Sequence, residues 1–389
     1  MSRTGSYVFL AQDRVIFSKP AREAVVEEAA RRNARRVFMV ASKTLSRKTD
    51  VVSGIRTALG DRFAGLFDET REHVPRDSVL AAASAVRAAN PDLIVTVGGG
   101  TPIDTVKVML VCLAENITNT DTLDEYYIRA KPDGSRDVKA IRPPPMRQIV
   151  VPTTLSGAEF SNLGAAIDPV RQVKDLYTGR EIGSDTVILD PAVTVHTPAW
   201  LWLSTGMRAV DHAVETICSK SPQPFTDATC LHGLGMLAKS LRRNHAAPED
   251  LDARLDSQLG VWLATTGLGR VPWGASHGIG HQLGAVAGVP HGYCTCVMLP
   301  AVLRWNRSVN AAQQALVAKA LGDDGSEAAD AVARLIADLG MPSRLRDVGV
   351  KPENFDAIAS GSLTNLFVRQ NPRPVTRRED VMEILEAAY

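Results

Sequence analysis

No block of like charge runs through this chain: 44 basic and 43 acidic side chains leave 389 residues with a net charge of +1. Nucleic acid or an anionic membrane surface calls for clustered basic side chains, so neither has electrostatic support here. Nowhere do eighteen apolar residues follow one another, which argues against a membrane-spanning helix. The opening Met-Ser-Arg-Thr-Gly-Ser lacks the apolar core of a secretion signal. Cysteine is scarce and dispersed, at Cys112, Cys218, Cys230, Cys294 and Cys296, and the number is odd. That usage speaks for a reduced compartment without a disulfide frame. Cys294-Thr-Cys296 is too closely set for usual zinc spacing, and its apolar neighbours place it in a core strand or helix. There is no internal repeat. A soluble, cytoplasmic protein is expected.

What is present is apolar material for a sizeable core, 45% of residues, in a chain longer than one typical domain. The first half alternates short apolar strands with amphipathic helices. The pattern predicts a helix over 21–34, strands over 36–40, 93–97 and 148–152, and a helix over 78–89. Such alternation implies a parallel sheet covered on both faces. The polar stretch 117–146, ending in three prolines, reads as an insertion or surface loop. From about residue 191 strand signals vanish, and Ala/Leu-rich segments at 199–219, 225–243, 249–268, 311–321 and 325–339 predict helices. The expected organisation is an α/β domain over 1–190 and an all-helical domain over 191–389.

Two constellations carry chemistry. The first, Gly98-Gly99-Gly100-Thr101-Pro102-Ile103-Asp104, follows a buried strand and opens a helix. Glycines let a backbone approach a pyrophosphate, and a helix start offers free N–H groups and partial positive charge. Thr101 reads as the cap and Pro102 as the first helical residue. The loop belongs to a later strand than in ordinary dinucleotide folds, which place it after the first. The second is a histidine cluster. His277 and His281 share one helix face, His291 sits in a Pro-His-Gly turn, and His212 lies upstream. Gly278, Gly280 and Gly284 leave room beside that face for a ligand or another backbone. Imidazoles from two segments suit a divalent transition metal such as Fe or Zn.

These segments together resemble the iron-containing (group III) alcohol dehydrogenase family, with its maleylacetate reductase branch, over nearly the whole chain. Gly98 to Asp104 looks like the family's pyrophosphate loop, and Pro152-Thr153-Thr154-Leu-Ser-Gly-Ala-Glu159 like its nicotinamide-side loop. Residues 206–215 and 277–292 resemble its metal-site signatures, and Asn371-Pro-Arg its C-terminal motif. The resemblance implies a dehydroquinate synthase-like architecture, with NAD(P)-dependent alcohol–carbonyl interconversion in the cleft between two lobes of a homodimer's subunit. It assigns cofactor contacts to Ser42, Gly98, Gly99, Gly100, Thr101, Asp104, Thr153, Thr154 and Lys174. Ser42 stands where a carboxylate would grip a ribose 2′-hydroxyl. Ser42 and Lys43 are open to a 2′-phosphate, so both NADH and NADPH remain as cofactors.

One departure bears on the metal. His212, His277 and His291 match the family's histidine ligands, but Arg208 stands at its aspartate position. A guanidinium cannot ligate a cation and repels one. Asp211 lies about 60° round the helix from Arg208, placed either to pair with it or to reach the site obliquely. The maleylacetate reductase branch also lacks the aspartate and is thought to work without metal. His281 is the expected proton relay. Arg208 and His212 are expected to supply positive charge to the developing alkoxide or to hold a substrate carboxylate. The alternatives are a metal-dependent alcohol dehydrogenase of broad specificity, a dehydroquinate synthase-type lyase, a metal hydrolase and a non-catalytic binding protein. The phosphate loop argues against a hydrolase.

Overall fold

The structure, a computed structural model, describes residues 5–131, 136–171 and 173–389. The chain divides into two compact units, Phe9–Thr197 and Pro198–Tyr389, the second joined by residues 5–8.

The first unit is built on a six-stranded parallel sheet. Its strands are β1 (Arg14–Phe17), β2 (Val37–Ala41), β3 (Phe63–Phe67), β4 (Leu93–Gly98), β7 (Gln148–Pro152) and β10 (Ser184–Leu189), in the order β1-β10-β7-β4-β2-β3. Side chains alternate across a strand, so each central strand feeds two cores. Val37, Met39, Val95, Val97, Ile149 and Val151 pack toward α1 (Ala21–Arg31) and α3 (Val51–Leu59). Phe38, Val40 and Ile94 pack toward α4 (Arg76–Ala89) and α5 (Gly100–Ala114). Burial on both faces is why β2, β4 and β7 read as nearly continuous apolar runs. From β2 the chain moves outward to β3, then returns across β2 to β4. That reversal opens a crevice at the carboxyl ends of β2 and β4, the position where such sheets bind ligands.

The sequence pattern does not mark out strands β1, β3 and β10 or the antiparallel hairpin of β8 (Leu163–Asp168) and β9 (Val173–Thr178). The expected surface loop is more ordered than its composition suggests. Its described residues form short pieces, α6 (Thr120–Leu123) and the two-residue strands β5 (Arg129–Ala130) and β6 (Arg136–Asp137), and buried Ile117 and Leu123 anchor it to the core. Residues 132–135 of that stretch lie outside the described residues. The remaining short helix, α2 (Lys43–Lys48), follows β2 and is capped by the Ser42 hydroxyl.

The second unit is helical: α7 (Ala199–Ile217), α8 (Pro224–Ala246), α9 (Leu251–Ala264), α10 (Ala275–Ala287), α11 (His291–Ala320), α12 (Ala328–Asp338), α13 (Phe355–Ser362), α14 (Leu366–Arg369) and α15 (Arg378–Ala388). No described helix is long and apolar enough to cross a membrane. The turn expected at His291 is instead the start of α11, which Pro290 precedes and which is interrupted only at Asn310. Cys294 and Cys296 are buried on that helix.

Candidate functional site

The crevice of the first unit gathers most of the residues expected to hold a cofactor. Gly98 has a φ of +147°, and a Cβ there would lie 2.6 Å from the Pro102 ring. A Cβ on Gly99 would meet the Thr154 methyl at 2.8 Å. Glycine at 99 therefore lets the end of β4 fold against the loop after β7, and glycine at 98 lets Pro102 of α5 close against the strand end. Thr153 N–H donates to the Gly98 carbonyl at 3.0 Å, and Ser42 N–H to the Val97 carbonyl at 3.1 Å. Ser42, Gly98, Gly99, Gly100, Thr101, Thr153 and Thr154 thus belong to one crevice. The N-cap of α5 is Gly99, not Thr101, and no side chain caps it. With glycine at the cap the helix start stays open, which suits an incoming anion. The Thr154 hydroxyl is buried without a partner.

Two expected cofactor residues are placed differently. Asp104 pairs at 3.2 Å with Lys107, a lysine 1% exposed that also donates to the Leu163 carbonyl at 2.8 Å. Lys174 lies exposed on β9, opposite Ile167 in the hairpin ladder. Glu159 closes the loop after β7. It is 2% exposed with one unpartnered carboxylate oxygen, and burial pushes its pKa up to about 7.

The second constellation is built by α7, α10 and α11. The apolar face of α7 is interrupted by Arg208, Asp211, His212 and Glu215, spaced so that all face inward. Asp211 accepts from the Ser276 and Thr295 hydroxyls, both at 2.9 Å, and no ion pair joins it to Arg208 among the described residues. Glu215 takes the Gly274 and Ser276 N–H groups at 3.1 and 3.0 Å, and its Oε2 lies 2.7 Å from His277 Nδ1. Asn371 takes the Ala275 N–H at 2.9 Å. Two side chains therefore satisfy the opening donors of α10, and this gives the Asn-Pro-Arg motif a structural role. Gly278 leaves room for the backbone of Val368, not for a ligand.

Four buried polar atoms here have no partner: Arg208 Nη1, Asp211 Oδ1, His212 Nδ1 and His277 Nε2. Few such atoms are tolerated in a native protein, and several in one place mark a ligand site. Burial lowers the pKa of Arg208, and burial together with the Arg208 charge holds His212 and His277 well below the ordinary histidine value, hence neutral. Burial pushes both carboxyls, Asp211 and Glu215, upward. His281 and His291 form a second pair, stacked with centroids 5.5 Å apart, and Asn365 lies 3.3 Å from His281 Nδ1. His281 is half-buried and His291 exposed.

The three-histidine set expected for a metal is not assembled. In this unit the ligand atoms lying within 4.8 Å of one another belong to Asp211, Glu215 and His277. Within that group Glu215 Oε2 and His277 Nδ1 are already bonded to each other. His212 and His291 are not part of the group, and Arg208 fills the carboxylate position with a buried cation. The residues present do not fit the Asp-and-three-His set. Glu215, whose role sequence reasoning missed, was legible as an acid four residues after Asp211, on the same helix face.

A dinucleotide-type crevice and a buried site of histidines, acids and one arginine define a class, the nicotinamide-dependent oxidoreductases. Comparison with known proteins is specific. Residues 12–191 match the description "Iron-containing alcohol dehydrogenase", and residues 202–389 match "Fe-containing alcohol dehydrogenase family, C-terminal". The dehydrogenase FUM7 of Gibberella moniliformis is 32% identical, over 96% of this chain and 95% of its own. Maleylacetate reductase 1 of Cupriavidus pinatubonensis is 27% identical over 96% and 93%. The crystal structure of maleylacetate reductase from Agrobacterium tumefaciens superimposes with a TM-score of 0.83 at 26% identity, covering 99% of both chains. The chain belongs to the iron-containing alcohol dehydrogenase family, and it is an NAD(P)-dependent dehydrogenase or reductase.

Proposed function

We propose that this enzyme interconverts an alcohol and a carbonyl compound whose carboxylate is held by Arg208, and that it does so without a metal. The observation that carries this reading is the guanidinium itself, 8% exposed and with Nη1 unpartnered. A buried charge without a partner costs several kcal/mol. A ligand carboxylate repays that cost, because its two oxygens match the guanidinium fork. Curated relatives named maleylacetate reductase support the reading, since that substrate's name denotes carboxylates.

A reduced nicotinamide held at the crevice would supply the hydride for the carbonyl carbon; this chain's own residues act on the carbonyl oxygen, which gains negative charge and takes a proton. Arg208 stabilises the charge that develops on that oxygen or anchors the neighbouring carboxylate. His281 gives the proton and is recharged through exposed His291, its stacked neighbour. The open start of α5, capped by Gly99 without a side chain, would hold the dinucleotide pyrophosphate. Without an acid at Ser42, both NADH and NADPH are accepted, the 2′-phosphate competing with Glu69 for Lys43, which now pair at 3.0 Å.

A metal-dependent alcohol dehydrogenase is the second reading, favoured by the Asp211, Glu215 and His277 group. Chelation separates the two. Reduction of succinic semialdehyde should survive exhaustive treatment with a chelator, with elemental analysis finding well under one metal per chain. Loss of turnover that returns on adding Fe or Zn would favour the second reading.

A further inference from the structure

Two cations and two acids meet where β2 and β3 end. Arg47 Nε and Nη2 donate to the two carboxylate oxygens of Asp68 at 3.1 and 3.3 Å. Its Nη2 also donates to Glu69, whose other oxygen lies 3.0 Å from Lys43 Nζ. The Asp68 side chain is largely covered, 18% exposed, whereas that of Glu69 is 54% exposed. The backbone beneath Glu69 is fixed from both sides. The Thr70 hydroxyl donates to the Ala41 carbonyl at 3.3 Å, and the Ser78 hydroxyl to the Glu69 carbonyl at 3.3 Å. Ala41 precedes Ser42, so this anchor sets Glu69 beside the end of β2. The loop then runs to α4 through His73 and Val74, both left-handed, with φ of +62° and +56°. That conformation is costly for a branched side chain and persists only where the surroundings impose it.

In dinucleotide crevices an acid at the strand end grips the ribose 2′-hydroxyl and disfavours a 2′-phosphate. Here that place belongs to Ser42, whose hydroxyl is engaged with the Leu45 N–H at 3.3 Å. We propose that Glu69, reaching across from the end of β3, is the residue that sets the choice between NADH and NADPH. This rests on the reading of the crevice as the cofactor site. With Glu69 in place both cations are compensated, and a 2′-phosphate brought beside Ser42 meets a carboxylate. Lys43 and Arg47 take up a phosphate only when Glu69 lets them go, while Asp68 keeps Arg47 in position. NADH asks for no such displacement. The wild type therefore takes both dinucleotides and favours NADH. The acid sits on a neighbouring loop with a side chain free to turn outward, so neutralising it converts the same two cations into a phosphate site.

The test measures binding of NADH and of NADPH to the full chain by calorimetry, with no carbonyl substrate present. The wild type should bind NADH more tightly. Glu69→Gln keeps the size and removes the charge. It should shift the ratio of the two dissociation constants toward NADPH about tenfold, the effect of one charge on a doubly charged phosphate a few ångströms away in a largely aqueous setting. The shift should shrink severalfold between about 20 mM and about 1 M salt, which a rearranged loop would not cause. Adding Lys43→Met to Glu69→Gln should reverse most of the gain. Lys43→Met alone leaves Glu69 less compensated and should move the ratio further toward NADH, and it serves if the Gln variant fails to fold. A wild type that favours NADPH overturns the inference. So does a Glu69→Gln ratio within about threefold of wild type, a shift indifferent to salt, or a Lys43→Met ratio that does not move. If the wild type binds neither dinucleotide, the crevice reading fails and this inference with it. If it binds both but does not reduce succinic semialdehyde, the proposed substrate fails, and the ratio alone decides the role of Glu69.

Discussion

Replacing Arg208 with methionine should separate what the residue does for the substrate from what it does to the fold. The guanidinium is 8% exposed, with an unpartnered nitrogen and no ion pair among the described residues. Losing a charge-assisted contact costs roughly 1.5–3 kcal/mol only where the ligand carries the opposite charge. Since about 1.4 kcal/mol is tenfold, kcat/KM should fall about 10- to 150-fold for succinic semialdehyde. It should change by less than about threefold for butanal, which has a methyl group in place of the carboxylate. Stability should move the other way. Removing an uncompensated buried charge relieves its desolvation cost, and a methionine fills much of the same volume. The variant should therefore melt at or above the wild-type temperature at pH 5, where Asp211, with a pKa raised to about 6 by burial, is protonated. Above pH 7 part of that gain is lost, because ionised Asp211 no longer has the nearby cation. Matched thermal melts at the two pH values and steady-state kinetics on the two aldehydes test both halves. An equal fall in kcat/KM for both substrates, or a variant less stable at pH 5, would refute the reasoning.

Gly99→Val should abolish dinucleotide binding by calorimetry while the protein stays folded, because its Cβ meets Thr154 at 2.8 Å and forces the loop after β7 away; unchanged affinity would rule out the crevice. His281→Ala should cut turnover about 10²- to 10⁴-fold, the usual worth of a positioned proton donor, and leave cofactor affinity alone; turnover within about threefold of wild type would make the residue structural. Glu159→Gln should flatten the pH dependence of stability. Its folded pKa, about 7 through burial, lies above the ordinary value of 4.5, so ionising it costs stability progressively as pH rises from 4.5 to about 7. Above that range the variant should be more stable than wild type by up to about 3 kcal/mol, and denaturant melts at pH 5 and 8 showing no difference in that gap would contradict the burial argument.

The sheet strands that the sequence announced, β2, β4 and β7, are buried on both faces; β10 is buried as fully, but its Ser184-Asp185-Thr186 start gives it no apolar run to read. Edge strand β1 is half-exposed along its length and offers only three apolar residues, and β3, partly buried throughout, has a glycine at the centre of its short run Phe-Ala-Gly-Leu-Phe, which weakens the strand signal. The hairpin β8–β9 carries polar and charged residues because it lies outside the main sheet. At the site, glycine loop and histidine spacing were legible because each is local. The bonds of Glu215 and Asn371 to the start of α10 were not, since they join residues 59 and 96 positions apart. The helix start at His291 was hidden because Pro-His-Gly reads as a turn, although proline before a helix is a natural entry.

Those two long-range caps also order the protein's assembly in time. A chain emerging from the ribosome delivers Asp211, Glu215 and all four clustered histidines well before Asn371. Until then the Ala275 N–H and the Asn306 amide, which Asn371 joins, lack their partner. The pocket can be finished only when all but about the last twentieth of the sequence has been made. A product truncated before residue 371 would carry every charged and imidazole group of the proposed chemistry and still lack the helix start that aims them.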